Sequence, residues 1–320
     1  MPDRHTHELT TSEAHRLLED VRSFGDPLFV FTGGDPLKRP DLCSLIGHSV
    51  LLGLRTNVSP SATPLLTTSA IETFKRLGVA RMAISLDGAD AVSHDAFRGV
   101  SGTFRRAMRA LRDAQRIGLE TQIQTTVTRR NLEQLPRIAE LVADVGGRMW
   151  SVFFLVVTGR ALGEDDLTAE EYEKVFEILY GISKNAAFGV KTTEGMHYRR
   201  YVAQRESGAQ CEHDNNLNAR TAVWRSAGVS DGRGFVFISH TGEIYPSGFL
   251  PVSAGNVRSE SLVDVYRNSM LFRLLRDSDQ REGKCGRCEY RKLCGGSRAR
   301  AYALTGNYLA EDPRCVYQPV

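Results

Sequence analysis

The stretch Leu28-Phe29-Val30-Phe31-Thr32-Gly33-Gly34-Asp35-Pro36 decides the fold. An apolar, β-favouring run breaks into a glycine pair, then into an acid and a proline that suit the start of a helical turn. Such a break opens a strand-to-helix unit, and the same alternation recurs on both sides of it. Upstream, Thr10-Thr11-Ser12-Glu13 forms a helix cap, with Ala14, Leu17, Leu18 and Val21 at helical spacing before Gly25 stops the run. Downstream the pattern predicts a short helix over 41–47 and strands over 50–55, 81–86, 121–127, 150–157 and 189–193. Between those strands it predicts helices over 69–77, 103–117, 132–145 and 168–183.

Strands alternating with helices imply parallel crossovers of one hand. The expected fold is α/β: a partial (β/α)6 TIM-like barrel missing its first strand, because the series opens on a helix where a closed barrel needs eight strands. A small C-terminal cysteine-rich α+β domain follows. Periodicity weakens past Arg200 and Asn and Asp cluster at 214–218, so the division reads as 1–204 barrel, 205–228 linker and 229–320 cysteine-rich domain.

Composition narrows the function. With 320 residues, 41% hydrophobic and 25% charged, the chain has the make-up of a packed globular protein. Its 41 basic against 38 acidic residues leave a net charge of +3, too small to announce a nucleic-acid or anionic-membrane surface. On helix 103–117, Arg105, Arg109, Arg112 and Arg116 lie opposite Phe104, Met108 and Leu111, which reads as a solvated face. No apolar run approaches the roughly 20 residues of a membrane span, and the polar N-terminus carries no signal-peptide pattern, so a cytoplasmic location is expected.

Four of the six cysteines sit near the C-terminus: Cys285, Cys288, Cys294 and Cys315, separated by 2, 5 and 20 residues. Four soft ligands without a neighbouring histidine fit zinc or an iron–sulfur cluster. Zinc ribbons usually show two Cys-x2-Cys knuckles, and only one is present, which tilts the reading towards [4Fe–4S]. Cys43 and Cys211 stand alone and read as inert fillers. At the strand ends, Gly33-Gly34-Asp35-Pro36, Thr56-Asn57 and Ser85 with Asp87-Gly88 gather small and polar groups on one rim, where barrel enzymes place their chemistry. His94, seven residues past Asp87, frames a substrate or caps a loop.

In this order, the residues resemble the radical S-adenosylmethionine (SAM) enzymes with a C-terminal SPASM or Twitch-type extension. Gly33-Gly34-Asp35-Pro36 is similar to the family's Gly-Gly-Glu-Pro turn, which holds the SAM amino group. Thr56-Asn57 resembles its Thr-Asn strand end, with Val58 where glycine is usual. Ser85-Leu86-Asp87-Gly88, His94 and Phe97-Arg98-Gly99 resemble the segment beside the SAM ribose. The resemblance implies cofactor contacts from Gly33, Gly34, Asp35, Pro36, Thr56, Asn57, Ser85 and Asp87, with Arg160 reaching the SAM carboxylate. It also implies an auxiliary [4Fe–4S] cluster on the four C-terminal cysteines, opened by a hairpin over 234–246 around Gly242. Ser247 stands where full SPASM proteins carry another cysteine, so one auxiliary cluster is expected.

The block Gly295-Gly296-Ser297-Arg298 after Cys294 resembles members that trim porphyrin propionates, while peptide-maturing relatives share the scaffold. The implied partners are a porphyrin or peptide substrate and an electron donor such as a ferredoxin or flavodoxin, with Arg160, Glu194, His197 and Arg199 as pocket candidates. The departure is the family's Cys-x3-Cys-x2-Cys loop, which occurs nowhere in these 320 residues. The expectation is an N-terminally shortened copy of an active enzyme, in which an upstream segment would supply the SAM-binding [4Fe–4S] cluster. As it stands the chain is expected not to cleave SAM. The alternative is a non-catalytic peptide- or partner-binding module on a degenerate fold, with a structural iron–sulfur or zinc site.

Overall fold

The computed structural model describes residues 7–159, 163–207 and 229–320. Helix α1, Thr11–Arg22, starts on a full capping box between Thr10 and Glu13 and buries Leu17, Leu18 and Val21. Strand–helix alternation follows as β1 Leu28–Phe31, α2 Leu42–Leu51, β2 Arg55–Val58, α3 Thr68–Arg76, β3 Arg81–Ser85, α4 Ala91–Arg98 and α5 Thr103–Ile117. It continues through β4 Glu120–Val127, α6 Leu135–Asp144, β5 Met149–Phe154, α7 Ala169–Asn185, β6 Gly189–Thr193 and α8 Tyr198–Ser207. The six strands pair in sequential order, all parallel, as an open half-barrel. The expected partial barrel is present.

One element is displaced from its expected place. The strand expected over 50–55 starts later, because Val50 and Leu51 complete α2, which buries Leu42, Leu45 and Ile46. Gly53, at φ 77°, ends that helix, so the strand occupies Arg55–Val58. Short apolar runs have no decisive period, and only packing separates the two forms.

The sheet has two unlike faces. Outward, Met82, Ile84, Ile123, Val127, Trp150, Val152, Phe154 and Val190 pack against the helices in the main core. The alternate residues face inward and are largely polar: Asn57, Ser85, Gln122, Gln124, Thr126, Ser151, Lys191 and Thr193. A polar inner face suits a solvated or ligand-filled cleft.

Past residue 229 come the hairpin β7 Phe237–Ile238 and β8 Glu243–Tyr245, turning at Gly242 as expected, with β9 Gly255–Asn256 alongside. Helices α9 Leu262–Asn268, α10 Met270–Arg276, α11 Gly283–Arg287 and α12 Arg298–Thr305 complete the described chain. This region shares a core with the N-terminus: Leu9, Leu17, Leu18, Val21 and Leu54 pack with Ile244, Leu262, Val265 and Phe272. Arg258 reinforces the join through Glu13, its Nε 2.8 Å from Oε1. No helix among the described residues is long and apolar enough to cross a membrane.

Candidate functional site

At the carboxyl end of β1, Gly33 adopts φ 127°, a backbone that side chains resist. A Cβ placed on Gly33 or Gly34 would meet nothing within 4 Å, so both glycines border open space that a ligand can enter against bare backbone. Asp35 then caps the helical turn Pro36–Lys38. Its carboxylate accepts from Thr63 Oγ1 at 2.7 Å and from the backbone N–H groups of Leu37 at 3.2 Å and Ser61 at 3.4 Å. These partners are all neutral, which leaves the negative charge available to an ammonium group.

Alternation separates Thr56 from Asn57. The Thr56 hydroxyl faces α2, 2.7 Å from Ser49 Oγ and 3.1 Å from the Leu54 carbonyl, and serves to hold β2 on its helix. Asn57 faces inward, and its buried Oδ1 lacks a hydrogen-bond partner, an acceptor suited to a ligand.

Asp87 is held within the protein by a hydrogen bond at Oδ1 and an ion pair at Oδ2, which makes no hydrogen bond. Oδ1 accepts from Thr126 N–H at 2.7 Å, and Oδ2 lies 2.5 Å from Arg98 Nη2. Its backbone N–H donates to His94 Nδ1 at 3.0 Å, and its carbonyl accepts from Asn131. His94 is thus the loop cap of the two readings; burial lowers its pKa and keeps the ring neutral. Gly88 beside it is obligatory, since a Cβ there would sit 2.4 Å from His94 N. Arg160 and Cys211 lie outside the described residues.

Strand register shows a row that the linear sequence conceals. Ser85 pairs with Gln124, Gln124 with Ser151 and Ser151 with Lys191, one inward polar group from each of four neighbouring strands. Gln122 Nε2 supports the row by donating to Ser151 Oγ at 3.1 Å. Its signal in the sequence is the strict polar alternation Gln122, Gln124, Thr126 along one strand.

The four C-terminal cysteines do come together. Cys285, Cys288, Cys294 and Cys315 all line one small cavity with His197, Arg200 and Asp312. Among the described residues, no three metal-ligating side chains converge closely enough to hold a single ion. Backbone N–H groups already aim at sulfur: Asp312 N to Cys285 Sγ at 3.3 Å and Gly296 N to Cys294 Sγ at 3.4 Å. Burial pushes the Cys294 thiol up to about 12 and Cys315 to about 11, so these sulfurs ionise only with a bound cation to compensate them. Gly295 and Gly296, at φ 74° and 65°, let Arg281 and Arg298 pack against the loop.

A buried charge network braces this cavity against the barrel. Asp312 accepts from Arg300 Nη1 at 2.9 Å and from Ser297 N–H at 2.8 Å. Burial alone would raise its pKa, but Arg300, His197 and the Ser297 amide together hold it far below the usual carboxylate range. Glu194, at an unusual φ of 56°, bonds the Ser297 hydroxyl. Burial, then the neighbouring Asp231, raises its pKa to about 8, so it is largely protonated at neutral pH. His197 is wholly buried, and burial drops its pKa to about 3. Of the pocket candidates from the sequence, His197 thus lines the cysteine cavity, whereas Glu194 is buried behind it against Ser297. Arg199 instead donates to the carbonyls of Val229 and Leu293.

A half-barrel with a glycine–acid turn on its first rim and a thiol-lined cavity beyond its last strand has the plan of SAM-dependent iron–sulfur enzymes. Residues 2–142 match the family model described as the Radical SAM superfamily. The chain is 43% identical over 317 residues to the AdoMet-dependent heme synthase of Nitratidesulfovibrio vulgaris, covering 98% of this chain and 85% of that protein. It is 29% identical over 325 residues to the pre-heme d1 synthase of Dinoroseobacter shibae, covering 96% and 78%. Streptococcus suis SuiB bound to the precursor peptide SuiA shares its fold at a TM-score of 0.74 and 18% identity, over 99% of this chain and 71% of that one. The chain belongs to the radical SAM superfamily. The family's cofactors are SAM and a [4Fe–4S] cluster.

Proposed function

We propose that this chain forms the SAM-binding cleft and auxiliary-cluster region of an enzyme that alters the propionate side chains of an iron–porphyrin. The observation that carries this reading is 43% identity, sustained over 98% of the chain, to a protein named AdoMet-dependent heme synthase. Gly33, Gly34 and Asp35, with Pro36 fixing the turn, would hold the methionine end of SAM through backbone and carboxylate. Asn57 and Ser85 would face the cofactor from the inner sheet, while Thr56 and Asp87 hold the strand ends that present them. Arg160 remains the candidate for the SAM carboxylate.

Cys285, Cys288, Cys294 and Cys315 would ligate one [4Fe–4S] cluster, whose chemistry when bound is one-electron exchange. The single Cys-x2-Cys knuckle, where zinc ribbons usually carry two, supports a cluster over one zinc ion. A ferredoxin- or flavodoxin-type donor and a cytoplasmic location accompany the reading. The division into 1–204, 205–228 and 229–320 then separates SAM-binding from cluster-binding residues, although a common core joins the two parts.

The test is iron and acid-labile sulfide per chain after anaerobic reconstitution, in the wild type and in Cys285→Ala, together with an optical titration with an iron–porphyrin bearing propionates. About four irons, lost in the variant, and saturable porphyrin binding are expected. One zinc without sulfide, or no porphyrin binding by a cluster-loaded protein, would overturn it.

A further inference from the structure

His197 is the one wholly buried histidine, among the described residues, with neither ring nitrogen hydrogen-bonded. Native proteins rarely leave a buried imidazole in that state, because both nitrogens lose water without replacement. The surroundings account for three of its four sides. Tyr172 stacks on one face, with ring centroids 5.2 Å apart, and Phe176 meets the ring edge-to-face at 4.8 Å. Nδ1 is directed to Asp312, but at 3.7 Å it is beyond hydrogen-bond distance, and Asp312 Oδ2 already accepts from Arg300 and Ser297. The remaining side lines the cavity of the four cysteines.

We infer that His197 donates a ring N–H to a sulfur of the cluster held by Cys285, Cys288, Cys294 and Cys315. This inference rests on the proposed cluster site. Since neither ring nitrogen has a hydrogen-bond partner in the protein, the ring proton is free to sit on the nitrogen that meets the cluster. Direct ligation to iron is unnecessary, because four thiolates already complete the ligand set. A donor to cluster sulfur stabilises the more negative, reduced state and raises the reduction potential. His197 is therefore a positioning residue that tunes the cluster.

The test compares wild type, His197→Phe and His197→Gln, reconstituted anaerobically. The readouts are iron and sulfide content, midpoint potential by EPR-monitored titration, and thermal stability of the metal-free chains. His197→Phe keeps an aromatic ring between Tyr172 and the cavity but removes the donor. The expected result is full iron content with the oxidised-to-reduced ratio at fixed potential raised about tenfold, a midpoint about 59 mV lower. Metal-free His197→Phe should be no less stable than wild type, since the buried nitrogens it removes were unpaired. His197→Gln, whose amide can donate, should return the midpoint most of the way. An unchanged midpoint in a fully loaded His197→Phe would overturn the inference. So would loss of iron from both folded variants, which would make His197 a ligand. If wild type itself takes up no iron and sulfide, the cluster site fails first, as a separate result.

Discussion

Asp87→Ala gives the sharpest test of how the rim is built. In the native chain the carboxylate accepts from the Thr126 amide at 2.7 Å and lies 2.5 Å from Arg98. Removing it strands a part-buried backbone donor, at a cost of about 1–3 kcal/mol. Breaking a fully buried ion pair costs about 3–5 kcal/mol, but Arg98 is 37% exposed and can turn to water, so about 1 kcal/mol is the appropriate share. The sum is about 3 kcal/mol. Asp87→Asn keeps a carbonyl for Thr126 and gives up the charge, and should lose about 1 kcal/mol. Urea denaturation at constant m measures both, and hydrogen exchange at the Thr126 amide localises the effect. If Asp87→Ala matched wild type within about 0.5 kcal/mol with Thr126 still protected, the carboxylate would not be holding the strand end. A loss confined to SAM affinity would then mark it as a ligand.

Other outcomes follow from the same geometry. Gly296→Ala would force a Cβ to 2.5 Å from Arg298 Nη2 and 2.8 Å from Asp312 Cβ at φ 65°, so stability should fall by more than about 2 kcal/mol and reconstituted iron should drop. Glu194, with its pKa raised to about 8, binds a proton in the fold that it lacks when unfolded, so its contribution to stability declines as pH rises from about 4.5 to about 8. Glu194→Gln should keep the Ser297 bond, cost little at neutral pH and flatten that slope; a large loss at pH 7 would show the ionised form to be the native one. The 320-residue chain, which contains no Cys-x3-Cys-x2-Cys triplet, should release no 5′-deoxyadenosine from SAM under reducing conditions, and a single measured turnover would refute this.

Much of this molecule is legible in order along the chain. Alternation between strand and helical periods predicts the six-strand sheet because each element must bury one side against the next layer. Glycine turns and capping residues mark where elements stop, as at Gly33 and Thr10, because their backbone geometry is local. Cysteine spacing points to a shared ligand set without any knowledge of the surrounding fold. The error over 50–55 arose where Val50 and Leu51 have no preference strong enough to resist the packing of α2.

Tertiary structure decided which of those residues are free to act. Thr56 and Asn57 are adjacent, yet the pleat sends one to Ser49 on a helix and leaves Oδ1 of the other without a hydrogen bond on the inner face. Asp87 carries the charge of a binding residue, but Thr126 and Arg98 occupy it from elements that sequence position cannot pair. The row from Ser85 to Lys191 exists only through strand register, and His197 meets cysteines that lie at least 88 positions further along the chain only through the cavity wall. Local chemistry determines which elements form and which ligands the chain carries. Long-range packing determines which polar atoms are already satisfied, and the unsatisfied ones are those left for a cofactor or substrate.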